Sequence, residues 1–315
     1  MKKLRKPYSG VRRRRSADRA GDGAARAGWH AARAGRLTLV RAALLEHLPW
    51  MVHGFSTRTG GLSVLGDERV LNLGWTEWDT RQAVEANRAA FLRALGGGRM
   101  WLATLKQCHG DVMHVLDTPT AHELRGDALL TRAPGLLLAV QTADCVPILL
   151  ADRRRHAVAA VHAGWRGTLA RIVEKTLGRM RMEFDTSAED VVAALGPSIG
   201  GCCYEVGPEV ATAFAAQFAA AREWFEGPFD RLASGDDPAP FPWLSMTPPG
   251  HEAPAPRVRL DLRAANRSQL VEAGVPAAQI VTSPLCTACR TELLFSHRRE
   301  QGNTGRMMAV IGIRS

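Results

Sequence analysis

Three residues in the middle of the chain have side chains that bind transition metals: His109, Cys145 and His162. Two imidazoles and one thiolate can hold Zn²⁺ and leave its fourth position open, which is the arrangement of catalytic zinc sites. The three residues lie far apart in the sequence, and no compact ligand motif links them. A single cysteine in an apolar run is also commonly a small buried hydrophobe. Spacing alone therefore leaves both interpretations open.

Short apolar runs place two of these residues at the ends of predicted strands. Leu136–Val140 leads into the polar stretch that contains Asp144 and Cys145, and Ala157–Val161 leads directly to His162. Continuously apolar runs of this length, bounded by turn residues, are typical of strands buried on both faces. Polar side chains at the ends of such strands commonly form the sites of α/β folds. We therefore expect Cys145 and His162 to share one site.

Asp144 directly precedes Cys145 and has two interpretations. It is either an acid/base or a hydrogen-bonding partner that orients the metal ligands. Alternatively, it is an ordinary turn or capping residue, because Asp is common at strand ends.

A loop after the predicted strand Val52–Ser56 is a candidate phosphate site. It contains Arg58, Thr59, Gly60 and Gly61. Backbone N–H groups at glycines can approach a phosphate closely, and the guanidinium group offers a bidentate fork. Loops with paired glycines are common, so this pattern is weak on its own.

The cysteine pattern is not that of a disulfide framework, because six cysteines are spread over 315 residues and two of them, Cys202 and Cys203, are adjacent. A reducing, cytoplasmic environment is therefore expected. Cys286 and Cys289 form a lone CxxC pair. A structural zinc or redox role is one interpretation of it, and two unrelated cysteines are the other, since no second pair lies nearby in the sequence.

The net charge of +10 is concentrated at the N-terminus. Twelve Lys and Arg but only two Asp fall within Met1–Leu37, so the remaining chain is neutral. Residues 1–36 are predicted to be a disordered basic extension that is dispensable, binds nucleic acid non-specifically or resembles a transit peptide. The neutral body predicts no specific nucleic-acid partner, and no apolar run is long enough to predict a membrane span.

Residues 37–315 are predicted to form a single catalytic domain with a Pro/Gly-rich insertion at about 227–256. Periodicity and capping residues predict helices, among them Asp79–Leu95, Thr168–Met182, Pro208–Trp224 and Arg263–Ala273. The segments Leu294–Arg299 and Met307–Ile313 are predicted as the last strands.

Several longer motifs lie along this domain. They include HGFSTRTGGLS (His53–Ser63), QCHGDV (Gln107–Val112), GDALLT (Gly126–Thr131), QTADCVPILLAD (Gln141–Asp152), AAVHAGWRGTL (Ala159–Leu169), GPSIGGCCYEVGPEV (Gly196–Val210) and TGRMMAVIGI (Thr304–Ile313). Together they resemble the YfiH-like or laccase-domain family, formerly called multicopper polyphenol oxidases and now described as purine nucleoside phosphorylases. The resemblance covers nearly everything from Leu37 onward.

The resemblance implies an α+β fold of the YfiH-like cysteine hydrolase class, arranged as a four-layer αββα sandwich. It implies an enzyme with Zn²⁺, or alternatively Cu²⁺, held by His109, Cys145 and His162. The implied reactions are phosphorolysis of adenosine, inosine and 5′-methylthioadenosine with inorganic phosphate, and adenosine deamination. A cytoplasmic monomer or small homo-oligomer is expected. His297 stands where many relatives carry Tyr, which bears on substrate preference.

Two other activities remain open for the same residues. A hydrolase that edits peptidoglycan precursors would use Cys145 as a nucleophile activated by His109 or His162. Metal content separates the two cases, because a thiolate bound to zinc is a poor nucleophile. A copper-dependent polyphenol oxidase would also suit two histidines and a cysteine. However, a multicopper enzyme needs further clustered histidines, and the ten in this sequence include no His-x-His pair.

Overall fold

The apolar runs of the sequence form the strands of two large sheets. The computed structural model describes residues 28–230 and 257–315. Its strands are β1 Trp29–Ala34, β2 Leu37–Ala42, β3 Met51–Ser56, β4 Thr59–Leu65, β5 Glu68–Val70, β6 Trp101–Ala103, β7 Leu105–Lys106, β8 Met113–Val115, β9 Leu124–Arg125, β10 Ala128–Thr131, β11 Leu136–Thr142, β12 Val146–Asp152, β13 Ala157–Ala163, β14 Val191–Leu195, β15 Glu205–Val206, β16 Phe225–Glu226, β17 Val258–Leu260, β18 Ile280–Thr282 and β19 Met307–Ile313. Its α-helices are α1 Ala43–Glu46, α2 Arg81–Ala94, α3 Trp165–Leu169, α4 Ile172–Phe184, α5 Pro208–Gln217 and α6 Leu262–Glu272.

Each large sheet has six strands. The first has the order β1-β2-β3-β19-β11-β6, and the second has the order β18-β14-β12-β13-β10-β8. Leu138 and Ile311 of the first sheet belong to the same buried cluster as Leu149 and Ala160 of the second. The core between the sheets is therefore built from both.

The opposite faces of the two sheets are covered by helices, because successive side chains of a strand point to opposite faces. Ile148 and Leu150 of the second sheet share a buried cluster with residues of α4, α5 and α6. Leu137 and Val310 of the first sheet share another cluster with Phe91 of α2. The result is a mixed α+β fold rich in sheet. Among the described residues, no helix combines the length and apolarity needed to cross a membrane.

Several predicted elements are confirmed. The apolar runs Leu136–Val140 and Ala157–Val161 form most of β11 and β13, and Met307–Ile313 is β19. Helix α2 begins after Thr80, whose hydroxyl accepts a hydrogen bond from the Ala83 N–H at 3.2 Å. A residue that satisfies a free N–H in this way is a strong helix start signal, which explains why this boundary was predictable.

The folded part begins earlier than predicted. The expected disordered extension reached residue 36, but β1 pairs with β2 in an antiparallel hairpin whose turn contains Gly35. Trp29 is fully buried, and its ring centroid lies 5.2 Å from that of Phe55. The Ala- and Arg-rich composition predicted disorder here, whereas the buried Trp29 side chain holds the hairpin against the core. The rest of the predicted extension lies outside the described residues.

Three other segments differ from their predictions. The helix expected at Thr168–Met182 is split into α3 and α4 by Arg171, which has a φ of 60°. The helix expected at Pro208–Trp224 ends at Gln217. Leu294–Arg299 forms no strand; instead, the Glu300 carboxylate accepts a hydrogen bond from the Ser296 N–H at 2.9 Å and closes a turn.

The predicted insertion begins with residues that belong to the folded body. Phe229 is buried, and its ring stacks on Phe225 at a centroid distance of 4.6 Å. The remainder of the insertion, residues 231–256, lies outside the described residues.

Candidate metal centre and its cavity

The sheet register brings the three predicted ligands together. Cys145 immediately precedes β12, and His162 lies near the end of the antiparallel neighbour β13. Because Val146 pairs with Ala163, Cys145 lies across from Gly164, two residues from His162. His109 arrives from the loop that follows β7. Ligand atoms of His109, Cys145 and His162 all lie within 4.8 Å of one another, as expected for a shared site.

Gly164 makes this approach possible. A Cβ atom at this position would lie 3.1 Å from the Cys145 sulfur and 3.2 Å from the His109 ring. Both distances are tighter than ordinary van der Waals contact, so a larger residue would require the Cys145 sulfur and the His109 ring to move by a few tenths of an ångström. The glycine that follows the HA pair of the HAGWRG motif therefore serves the ligand cluster directly.

Asp127 organises the two histidines, and sequence reasoning did not select it. Its carboxylate contacts His162 Nδ1 at 2.8 Å and accepts hydrogen bonds from the N–H groups of His109 at 3.0 Å and Gly110 at 2.8 Å. Since Nδ1 of His162 is engaged, Nε2 is the ring nitrogen left for a ligand. Its position within the GDALLT motif was the available signal, but its contact depends on the pairing of β10 with β13.

Electrostatics favours a charged cluster. Burial acts to raise the pKa of Cys145, but His162 and His109 outweigh it and lower the pKa to about 6. Burial acts to lower the pKa of His162, but the Cys145 thiolate and Asp127 raise it to about 9. Burial likewise acts to raise the pKa of Asp127, and hydrogen bonds from His162, Gly110 and Cys108 lower it to about 2. The thiolate is therefore the dominant form of Cys145 at neutral pH.

Asp144 is held in a network beside the cluster. Its carboxylate accepts hydrogen bonds from the Thr287 hydroxyl at 2.6 Å and from the Arg298 N–H at 2.7 Å, and its carbonyl accepts one from the Ile199 N–H at 2.8 Å. It also has a φ of 99°, which a non-glycine residue rarely adopts. These contacts suit a residue that fixes the turn before Cys145, and its side chain reaches the adjacent cavity.

The cluster forms part of the wall of a cavity of about 520 Å³. Trp165 and Tyr204 provide aromatic surface there, and burial, Cys145 and Asp144 raise the pKa of Tyr204 to about 12.

Three arginines also line the cavity: Arg166, Arg298 and Arg306. Across residues 28–230 and 257–315, none of these arginines forms an ion pair with a carboxylate. The cavity therefore presents unpaired positive charge beside the predicted metal ligands. The exposed His297 also faces it.

The structure places the predicted phosphate cradle away from this cavity. Arg58 does not line the cavity; its guanidinium group is buried, pairs with Glu300 at 2.7 Å and lies 4.8 Å from the centroid of Phe295. Thr59, Gly60 and Gly61 begin strand β4 rather than forming an open loop. A Cβ atom at Gly60 would lie 2.0 Å from the Arg36 carbonyl oxygen, so close packing of the backbone explains the glycine.

The donor set fits a metal ion of the expected kind. Two imidazoles and one thiol group, which release their protons when a metal binds, are ligands that suit zinc or copper. The hydrogen bond that the Asp127 carboxylate accepts from His162 Nδ1 fixes the orientation of the imidazole, as is usual for a metal-binding histidine. Three ligands beside an open cavity are typical of a catalytic rather than a structural site.

Comparisons with known proteins agree with the resemblance. A family model described as multi-copper polyphenol oxidoreductase laccase matches residues 52–314. A purine nucleoside phosphorylase from Deinococcus radiodurans is 38% identical over 278 residues, covering 88% of this chain and 93% of that protein. A protein named adenosine deaminase RL5, from an unknown prokaryotic organism, is 41% identical over 181 residues, covering 57% of this chain and 59% of that protein.

A solved structure shows the same fold. The crystal structure of YlmD from Geobacillus stearothermophilus is 31% identical and covers 90% of this chain and 99% of its own, with a TM-score of 0.73. The family match spans well over half of this chain, and the relatives align over most of their own length. This chain therefore belongs to the laccase-like YfiH family.

Proposed function

We propose that the chain is a zinc-dependent purine nucleoside phosphorylase acting on adenosine, inosine and 5′-methylthioadenosine. The observation that carries the proposal is the composition of one cavity wall. It combines the His109, Cys145 and His162 cluster with three arginines that have no carboxylate partner among the described residues. The names of the relatives point to the same class of reaction.

The arginines would bind inorganic phosphate. Guanidinium groups match phosphate oxygens bidentately, and such charged hydrogen bonds strengthen where water is excluded. Arg306 is the strongest candidate because it is half-buried and interacts electrostatically with both Cys145 and Asp144. Burial lowers its pKa, but those two acidic groups oppose the shift.

The aromatic side chains would hold the base. A purine presents a flat apolar face, and Trp165 and Tyr204 line the same cavity as the arginines. In phosphorolysis, a phosphate oxygen forms a bond to the anomeric carbon of the ribose while the bond from that carbon to purine N9 breaks. The departing purine keeps the bonding electron pair and takes up a proton.

The protein residues around the cluster would hold the ligands in place for this step. Asp127 orients His162 through Nδ1, and its contacts with the N–H groups of His109 and Gly110 fix the loop that carries the other histidine. Asp144 fixes the turn before Cys145. Zinc, when bound, would supply a Lewis acid at the cavity wall.

We also infer adenosine deamination at the same site, because a relative that is 41% identical is named an adenosine deaminase. In this reaction water adds its oxygen to C6 of the purine, and the exocyclic nitrogen leaves as ammonia. A polyphenol oxidase is less well supported, since the described residues contain no second histidine-bearing cluster that could hold a further copper ion.

Two broader expectations are part of the proposal. The two sheets with helices outside them would form the four-layer αββα sandwich, as the three core clusters suggest. A reducing compartment such as the cytoplasm is the other expectation, because six cysteines spread over 315 residues do not follow the pattern of a disulfide framework.

The test uses zinc-loaded protein with adenosine, in the presence and absence of phosphate, beside the variant Cys145→Ala. We expect adenine to form only with phosphate and inosine to form in both conditions, with both products lost in the variant. The control is Ala288→Ser, which changes a residue outside the cavity. A folded, zinc-loaded protein that leaves adenosine, inosine and 5′-methylthioadenosine unchanged would falsify the purine assignment. A peptidoglycan-precursor hydrolase that uses the Cys145 thiolate would then be tested next.

A further inference from the structure

The fold brings together a second group of potential metal ligands that consists only of cysteines. Cys202 and Cys203 lie in the turn after β14, and Cys286 and Cys289 form the CxxC turn after β18. All four sulfurs lie within 4.8 Å of one another, and those of Cys202 and Cys203 lie 3.6 Å and 3.3 Å from Cys289. All four are free thiols. We propose that this four-cysteine cluster is a second, structural metal site that binds one Zn²⁺ ion.

The topology explains why the two pairs meet. Strands β14 and β18 are parallel neighbours, with Leu195 opposite Thr282, so the segments that follow the two strands leave the sheet at the same end. A bridge between Ser198 and Cys286 continues the pairing beyond the strands, and the Thr287 N–H donates to the Ser198 carbonyl at 3.1 Å. The backbone of both turns is therefore fixed independently of any metal.

The donor set specifies the chemistry of the ion. Four thiolates are soft ligands, and a set without imidazole or carboxylate is typical of a closed structural zinc site. Zinc–sulfur bonds of ~2.3 Å in a tetrahedron place the sulfurs about 3.8 Å apart. The sulfurs of Cys202 and Cys203 lie 3.6 Å and 3.3 Å from that of Cys289, slightly closer than this value, and no two of the four sulfurs are more than 4.8 Å apart, so binding requires only small side-chain adjustments. The Gly200 N–H also donates to the Cys286 sulfur at 3.2 Å, a contact that stabilises a metal-bound thiolate.

This cluster differs from the candidate catalytic site, since none of its four cysteines lines the cavity. It is nevertheless connected to that site by short contacts. Thr287, inside the CxxC turn, donates to Asp144, and Tyr204 follows Cys203 directly and lines the cavity. A metal here would hold the turn before Cys145 and one aromatic wall of the cavity. Its cysteines are positioning residues rather than catalytic ones.

The experiment counts metal ions on the full-length chain purified with reductant, and it does not depend on which reaction the enzyme catalyses. Four proteins are compared: the unaltered chain, Cys286→Ser/Cys289→Ser, Cys145→Ser and the control Ala288→Ser. We expect two zinc ions per chain, one for each cluster, in the unaltered chain and in the control. Each cysteine variant should retain one ion.

Cobalt substitution distinguishes the two sites by the number of sulfur ligands. Charge-transfer absorption from thiolate to Co²⁺ grows with the number of thiolates bound. We therefore expect Cys145→Ser to retain most of the unaltered chain's absorption, and Cys286→Ser/Cys289→Ser to lose most of it. The Cys145→Ser protein tests the proposal even if the double variant fails to fold.

Two results would overturn the proposal. One is a single ion per unaltered chain that is lost in Cys145→Ser. The other is a metal-free cluster with a disulfide between Cys203 and Cys289, detected by mass spectrometry after alkylation of freshly isolated protein. The second result would indicate a redox pair instead of a metal site.

Discussion

The two ligand clusters of this molecule lie close together but are built differently. The first combines two histidines and one cysteine that come from the ends of two central strands and from a loop, and it faces a cavity of about 520 Å³. The second combines four cysteines from two turns, and none of them lines that cavity. Three ligands beside open space leave a coordination position for a reactant, whereas four thiolates leave none.

The partners of the clusters differ in the same way. Asp127 and Asp144 surround the first cluster with hydrogen-bonded carboxylates, and three arginines face the adjacent cavity. The second cluster is supported mainly by backbone groups, such as the Gly200 N–H. Ionisable groups placed around an open position can bind and protonate reactants, while backbone donors only stabilise bound thiolates. This contrast predicts chemistry at the first cluster and stability from the second.

Asp127→Asn gives the largest effect expected here after loss of Cys145 itself. The amide keeps the shape but is a weaker hydrogen-bond acceptor for His162 Nδ1–H, so His162 becomes a less basic and less firmly oriented ligand, and we expect activity and zinc affinity at the first cluster to fall by about 10- to 100-fold. Zinc competition and steady-state kinetics measure both quantities. Asp152→Asn is the matched control, because Asp152 is also buried but accepts hydrogen bonds only from turn N–H groups. Equal losses in both variants would mean that Asp127 serves folding alone.

Arg306→Met tests the phosphate assignment. Removing the guanidinium group while keeping an apolar stem should raise the KM for phosphate about tenfold or more, because a charged hydrogen bond contributes ~1.5–3 kcal/mol. The KM for the nucleoside should change little. Initial rates at varied phosphate measure this split.

Arg58→Met is the comparison for that experiment. Its guanidinium group is paired with Glu300, so its loss should lower thermal stability without a selective change in the KM for phosphate. A selective rise in the KM for phosphate in Arg58→Met, with no rise in Arg306→Met, would instead support the phosphate site that the sequence predicts at Arg58.

Removal of the second metal should affect stability more than turnover. For Cys286→Ser/Cys289→Ser we expect the Tm to fall by roughly 5 °C or more, equivalent to about 2 kcal/mol in a chain of this size. Activity at 25 °C should fall by less than about tenfold, because Asp144 keeps its hydrogen bond from the Arg298 N–H. Calorimetry with and without chelator measures the shift. A Tm that matches the unaltered chain would contradict a structural role.

Sequence reasoning found the ligands that lie next to long apolar strands. Cys145 and His162 were predicted together because the apolar runs of β11 and β13 lead into polar residues. Asp127 was missed because its contact with His162 depends on the register of β10 against β13, which no local pattern encodes. The ion pair of Arg58 could not be predicted for a related reason, since its pairing with Glu300 joins residues 242 positions apart.

The four-cysteine cluster shows the same limit more sharply. Cys203 and Cys289 are 86 positions apart, and each pair alone is weak evidence of a metal site. Only the parallel pairing of β14 with β18 brings them together. The hairpin at Trp29–Ala42 was missed because composition averages over a window, while a single buried tryptophan anchors the fold. Local patterns thus predicted elements, and long-range register determined the sites.

The last effect concerns acid sensitivity, which must be separated from metal loss before the clusters are compared at low pH. His53 is buried with Nε2 accepting the Ala42 N–H at 3.3 Å. Burial, with the charges of Arg41 and His30, lowers the pKa of His53 from 6.5 to about 3. Between these values the unfolded chain binds a proton that the folded chain does not, so stability present above pH 6.5 is lost as the pH falls.

His53→Gln retains a hydrogen-bond acceptor but does not titrate, so it should reduce this pH dependence. In the unaltered chain, the His53 contribution to the free energy of unfolding should be about 2 kcal/mol lower at pH 5 than at pH 7, since each pH unit below 6.5 contributes ~1.4 kcal/mol. Urea unfolding with chelator present measures it free of metal effects, because acid also releases metals by protonating their ligands. Equal pH slopes in the two proteins would assign the acid sensitivity to other groups. With the His53 contribution removed, any remaining loss in metal-loaded protein can be divided between the clusters by using Cys145→Ser and Cys286→Ser/Cys289→Ser.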